Sequence, residues 1–81
     1  MIGTIKNKFD DKGYGYIVID NYYGDVYFHA NDVEQIKQIE NYEDKVEYWK
    51  NNVFTADKVS VGKINTLIDG RKEAKEVDIL D

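Results

Sequence analysis

The sequence predicts an all-β domain of five short strands, and three observations carry that prediction. The first is the stretch 12–30, KGYGYIVIDNYYGDVYFHA, where two alternating runs flank a short loop containing Gly24. A strand has a period of two, so in the first run Tyr14, Tyr16 and Val18 point one way and Gly15, Ile17 and Ile19 the other. In the second run Val26 and Phe28 oppose Tyr27 and His29. The second observation is a set of three further runs of strand character, Met1 to Phe9, Lys45 to Lys50 and Val53 to Val61. The third is size: 81 residues, 42% of them apolar, suffice for one domain with one modest core.

Antiparallel pairing of the two central runs buries Ile17, Ile19, Val26 and Phe28. It leaves Tyr14, Tyr16, Tyr27 and His29 side by side on the outer face. Such a plate of rings, flanked by lysines, is a surface on which nucleobases can stack. Gly15, between two outward tyrosines, permits a close approach by another segment beneath it. The turn Asp10-Asp11-Lys12-Gly13 places aspartates early and a glycine where positive φ is tolerated.

These residues also resemble a known family. Lys12 to Ile17, K-G-Y-G-Y-I, resembles the first ribonucleoprotein motif of the bacterial cold-shock proteins, K-G-F-G-F-I, and Asp25 to His29, D-V-Y-F-H, resembles the second, D-V-F-V-H. The resemblance continues more weakly from Gly3 to about Val61. It implies a five-stranded antiparallel oligonucleotide-binding (OB-fold) barrel over residues 1–61, with a short helical turn between strands three and four, followed by a C-terminal extension, 62–81. It further implies a binder of single-stranded RNA or DNA, with Tyr14, Tyr16, Tyr27 and His29 stacking on or contacting bases and Lys6, Lys8 and Lys12 at phosphates.

The first strand departs from the family. Its K-W-F-N becomes Lys6-Asn7-Lys8-Phe9, so an ungapped alignment puts Asn7 and Lys8 where two rings are expected. Two placements of Phe9 are open: over the barrel's edge, or, after a one-residue slip that demands a bulge, in the second ring position. Each stacked base is worth ~1–3 kcal/mol, so the outcome matters to affinity. Ala30 stands where a further ring is common. Of the adjacent Tyr22 and Tyr23, at most one can join the plate.

Beyond the hairpin, Val33, Ile36 and Ile39 recur at threes in NDVEQIKQIE, which suits a short helix capped by Asn31 with Glu34 completing a capping box. KVEYWK reads as strand four, with Val46 and Tyr48 inward and Glu47 and Trp49 outward. Asn51-Asn52 then makes a hairpin turn into strand five, VFTADKVSV. Its A-D-K-V, with Ala56 and Val59, resembles the family's closing A-x-N-V. Trp49 either replaces a missing ring on the plate or shields the opposite wall, and the second is expected. In the extension, Asp69-Gly70 is a turn, and Arg71 to Asp81 reads as a helix, a strand carrying Val77 and Ile79, or a frayed end.

Composition narrows the function. Without cysteine there are no disulfides, thiolate chemistry or cysteine-ligated zinc, and a single histidine rules out a multi-histidine metal site. No carboxylates are paired with a base, and no phosphate-cradling loop is present, so neither enzyme nor cofactor is expected. No apolar run approaches the length of a membrane span, and the expected setting is the cytoplasm. The net charge is −5, but residues 1–31 carry only −1 while 32–47 carry −4. Binding is therefore expected to be led by stacking, with a shallow salt dependence. The alternative is a barrel that uses its aromatic face against a protein partner. Monomer and dimer, the latter through the C-terminal extension, are both open.

Overall fold

Three antiparallel strands, β1 (Ile2–Phe9), β2 (Tyr14–Ile19) and β3 (Asp25–His29), form the wall from which the molecule is built. The computed structural model describes residues 1–80; Asp81, the last residue of the expected extension, lies outside them. β2 and β3 adopt the register that their alternation dictates: Tyr14 opposite His29, Tyr16 opposite Tyr27, Ile17 opposite Val26. Ile17, Ile19, Val26 and Phe28 are at most 2% exposed, which places the inward apolar positions of the hairpin in the core. Gly13 has φ +68°, the left-handed conformation that the turn from β1 to β2 requires.

The register of β1 shifts between Ile5 and Asn7. Ile5 faces Ile17 and is buried, whereas beyond Lys6 the pairs are Asn7 with Tyr16, Lys8 with Gly15 and Phe9 with Tyr14. One extra residue exchanges the faces of everything that follows it. Phe9 thereby joins the tyrosine side and Lys8 turns inward, so the slipped placement is the one adopted. Gly15 makes this possible, because a Cβ there would overlap the Asn7 carbonyl oxygen and lie 3.0 Å from the Phe28 ring.

The chain between β3 and the next strand is helical and longer than a single turn. A 3-10 turn (Ala30–Asp32) leads into α1 (Glu34–Lys37) and then α2 (Tyr42–Asn52). The cap of the first turn is His29 rather than Asn31: its Nδ1 accepts the Asn31 amide at 3.0 Å, and the Asp32 carboxylate accepts the His29 amide at 3.2 Å. Strand four was expected at Lys45 to Lys50, but these residues lie within α2, and Asn51-Asn52 is its last half-turn instead of a hairpin. Six alternating residues satisfy both periods, since Tyr42, Val46 and Trp49 also fall at helical spacing on one face. The helix has its own start and stop chemistry. Asn41 Oδ1 caps the Asp44 amide at 3.1 Å, Glu43 and Asp44 occupy the first turn, and Lys50 the last.

Trp49 is the plug this helix inserts under the barrel. It is 2% exposed, packs edge-on against Phe28 with centroids 5.5 Å apart, and donates from Nε1 to the Phe9 carbonyl at 3.2 Å. It was expected to face outward from a strand and shield the opposite wall; instead it is itself part of the core, delivered from a helix.

The remaining strands also differ from the expected boundaries. β4 is Lys58–Thr66 and β5 is Lys72–Ile79, joined by the Asp69-Gly70 turn, in which Gly70 has φ +89°. Ala56 lies in the preceding turn with φ +78°, and Val59 is buried as the first core residue of β4. β4 pairs with both β1 and β5, and β5 meets β3 in parallel at Tyr27 and Glu73, giving a closed barrel in the order β1-β2-β3-β5-β4. Residues 62–81 were expected to extend a barrel already complete at 61; instead β4 runs through that boundary and β5 supplies the fifth wall. Ala74 and Val77, fully buried, fill the core space that a strand at 45–50 was expected to fill.

Candidate functional site

The outer face of β1, β2 and β3 carries four aromatic rings in contact. Phe9 and Tyr14 have centroids 5.0 Å apart, Tyr14 and Tyr27 5.4 Å, and Tyr16 lies 6.2 Å from both Tyr14 and Tyr27. All four sit on the outer pleat, supported from below by the buried aliphatics of the same strands. Phe9 remains 38% exposed, and the three tyrosines are half-buried by one another. The separations are those of mutually packed rings, so the plate is preformed.

His29 lies at the end of this row, opposite Tyr14. With Nδ1 engaged by the Asn31 amide, the neutral ring carries its proton on Nε2, a donor on the side of Gly13. Tyr27 is held in its phenol form to higher pH than usual, first by burial and then by the nearby Glu73 carboxylate. It therefore stays a hydrogen-bond donor throughout the neutral range.

The three expected lysines are placed differently from one another. Lys12 is exposed in the turn beside His29 and makes no ion pair among the described residues. Lys6 stands at the bulge with its ammonium 2.9 Å from Asp25, an exposed pair. Such a pair contributes only ~0–1 kcal/mol, so Lys6 can exchange its carboxylate for a phosphate at little cost. Lys8 is not on the plate. Its side chain is 8% exposed, pairs with Asp10 at 2.8 Å, donates to the Trp49 carbonyl and lies 5.1 Å from the Trp49 ring centroid. The reversal of faces at the bulge put it there, so its expected role at a phosphate is withdrawn.

The structure adds residues that the alternation of the hairpin did not reveal. The β4–β5 turn folds over the far end of the plate, where Tyr16, Tyr23, Tyr27, Arg71 and Lys72 line a groove of about 280 Å³. Tyr23 is fully exposed there, whereas Tyr22 packs against the core. Arg71 is paired with Asp69 at 2.6 Å and is mostly exposed. Behind Tyr27, Lys75 bridges Asp32 at 3.1 Å and Glu73 at 2.5 Å. The signal for Arg71 and Lys72 was a basic pair just after a predicted turn, which becomes informative only once that turn is known to sit beside the plate.

Among the described residues no group of three or more His, Cys, Asp or Glu side chains is placed to hold a metal ion, and no helix is long and apolar enough to cross a membrane. Comparison of the sequence with protein-family models and with curated proteins finds no match.

Proposed function

We propose that this chain is a single-stranded nucleic-acid-binding protein, an oligonucleotide-binding barrel of the cold-shock type, acting in the cytoplasm as an RNA chaperone or regulator of gene expression. The observation that carries this reading is the contiguous plate of Phe9, Tyr14, Tyr16 and Tyr27 on the outer wall of β1–β3. Preformed and partly exposed, with Tyr14 and Tyr27 tilted 31° to one another and Tyr16 edge-on to both, it offers bases a π surface without the need for sequence-specific hydrogen bonds. The strand order β1-β2-β3-β5-β4, with a helix inserted between β3 and β4, supports the oligonucleotide-binding class of barrel, whose β2–β3 face and adjoining loops are its binding region. The slip that brings Phe9 beside Tyr14 supplies a ring of the kind the cold-shock pattern has in its first strand. The eleven-residue α2 departs from the short helical turn of that family.

One observation favours a second reading, an aromatic face for a protein partner. Lys6, Arg71 and Lys75, three of the cations around the plate, are already paired with carboxylates, Lys6 with Asp25, Arg71 with Asp69, and Lys75 with Asp32 and Glu73. Tyrosine-rich faces of this kind suit protein interfaces as well as bases.

Fluorescence anisotropy of labelled oligothymidine and a single-stranded RNA separates the two. The nucleic-acid reading predicts saturable binding, weakened roughly tenfold or more by Tyr14→Ala and by Tyr27→Ala, since each stacked base is worth ~1–3 kcal/mol. Absence of binding at micromolar protein and low salt, with both variants folded, leaves the protein-partner reading.

A further inference from the structure

Around the corner from the plate, past Gly13, a second concavity of about 270 Å³ opens between the β1–β2 turn, the residues after β3 and α2. Its floor is apolar, formed by Ile36, Val46 and Trp49, and the exposed ring of Tyr42 stands at its side. Its rim carries Lys12, Lys45 and Lys50. None of the three makes an ion pair among the described residues, in contrast to Lys6, Arg71 and Lys75 around the plate. Of the two carboxylates at the mouth, Asp10 and Asp11, the first is already paired with Lys8. In a chain of net charge −5, this is a place where uncompensated cations gather.

His29 joins the two surfaces. Its backbone is paired with Tyr14 of the plate, while its ring lines the cleft and carries its neutral-form proton on Nε2. A strand crossing the plate toward Tyr14 thus meets, in succession, a donor, a ring of cations and an apolar floor. The volume lies just below the ~300–1,000 Å³ typical of small-ligand sites. It suits one nucleotide unit and is too small for a packed peptide segment.

We propose that this cleft holds the nucleotide that continues a bound strand beyond Tyr14, its phosphate among Lys12, Lys45 and Lys50 and its base against Tyr42 over the Ile36–Val46 floor. The inference rests on the stacking role of the plate and deepens it by assigning α2 a part in binding. A free mononucleotide shares the same chemistry, and the cleft should bind it weakly, because it lacks the tether to the plate.

The test is a series of oligothymidines of increasing length, titrated at several salt concentrations against the wild-type protein, Lys45→Gln/Lys50→Gln, and Tyr27→Ala. Glutamine is a good helix former, and both lysines lie at the rim of the cleft, Lys45 half-buried and Lys50 exposed, with neither in an ion pair among the described residues, so the double variant should fold; circular dichroism checks this. The wild type is expected to gain affinity in a distinct step once the oligonucleotide outgrows the plate. The double variant should lose that step, roughly tenfold. Its salt slope should be shallower by about 0.7, because one phosphate fewer is neutralised. Short oligonucleotides should bind it as they bind the wild type, whereas Tyr27→Ala should weaken every length. A step that survives in the double variant, or an equal loss at all lengths, overturns the cleft while leaving the plate in place. Unchanged binding of all lengths by Tyr27→Ala, or no binding by the wild type, removes the plate reading and the cleft with it.

Discussion

Lys8 shows how much one inserted residue decides. A lysine on the outer face of β1 would be a mobile cation available to phosphate; after the bulge at Lys6 the same side chain points beneath the barrel. There it meets the last carbonyls of α2, donating to that of Trp49 and lying 3.4 Å from that of Lys50, where a helix presents its negative end. The Asp10 carboxylate completes its surroundings. Lys8 therefore fastens the helix to the sheet. Lys8→Met, which keeps the stem and removes the charge, should lower stability by about 1–3 kcal/mol in urea denaturation. The salt dependence of oligonucleotide binding should be unchanged, whereas a loss of salt slope would return Lys8 to the phosphate role. From the sequence both outcomes for Phe9 were visible, because a slip was the only way to put a ring there. That the same slip would bury Lys8 beneath a helix was not visible, because KVEYWK reads as a strand.

At the scale of elements, legibility followed the length and purity of the pattern. The β2–β3 hairpin announced its register and both its faces, because every outward position but Val18 is polar or aromatic and every inward one but Gly15 is a large apolar residue. Its support by the bulged strand depends on Gly15, which has no room for a side chain. Gly15→Ala would press a methyl group onto the Asn7 carbonyl, which cannot move without disturbing the pairing of β1, and onto the Phe28 ring, which is held against Trp49. A loss of about 1–3 kcal/mol in thermal or urea denaturation is expected, the cost of overpacking a filled core. Weakened oligonucleotide binding should accompany it as Phe9 leaves the plate. By contrast, KVEYWK was too short to declare its period. Only the cap at Asn41 and the ordering of charge from Glu43 to Lys50 marked a helix, and these signals lie partly outside the alternating six. The β4–β5 pair was hidden for another reason. Its inward residues jump from Val61 to Ile64 and from Val77 to Ala74, beside Glu76 with φ +54°, so neither strand alternates cleanly.

For the whole molecule, the C-terminal segment is the difference between an open sheet and a closed one. Nothing local distinguishes a barrel strand from an appendage, because the distinction is made by a partner some forty-five residues away. β5 spends its backbone hydrogen bonds within the barrel, mostly on β4; on its other side it pairs in parallel at Tyr27–Glu73 and, just beyond β3, at Val33–Val77. That economy also sets where charge can lie: Glu73 and Lys75 are brought behind the plate by closure itself, and the acidity counted along the chain is redistributed accordingly.

The parallel junction at Tyr27 has one more consequence. A cylinder zipped along four of its edges and merely stapled at two points along the fifth breathes at the staples, and here one staple is a residue of the plate. Whatever settles on Tyr27 thus braces the weakest suture of the domain. Deuterium uptake at the amides of β3 and at Glu73 to Lys75 should slow when oligonucleotide is bound, while the β1–β2 amides, already tightly laced, change little. Equal slowing along all five strands would mean that the staple is no weaker than the rest.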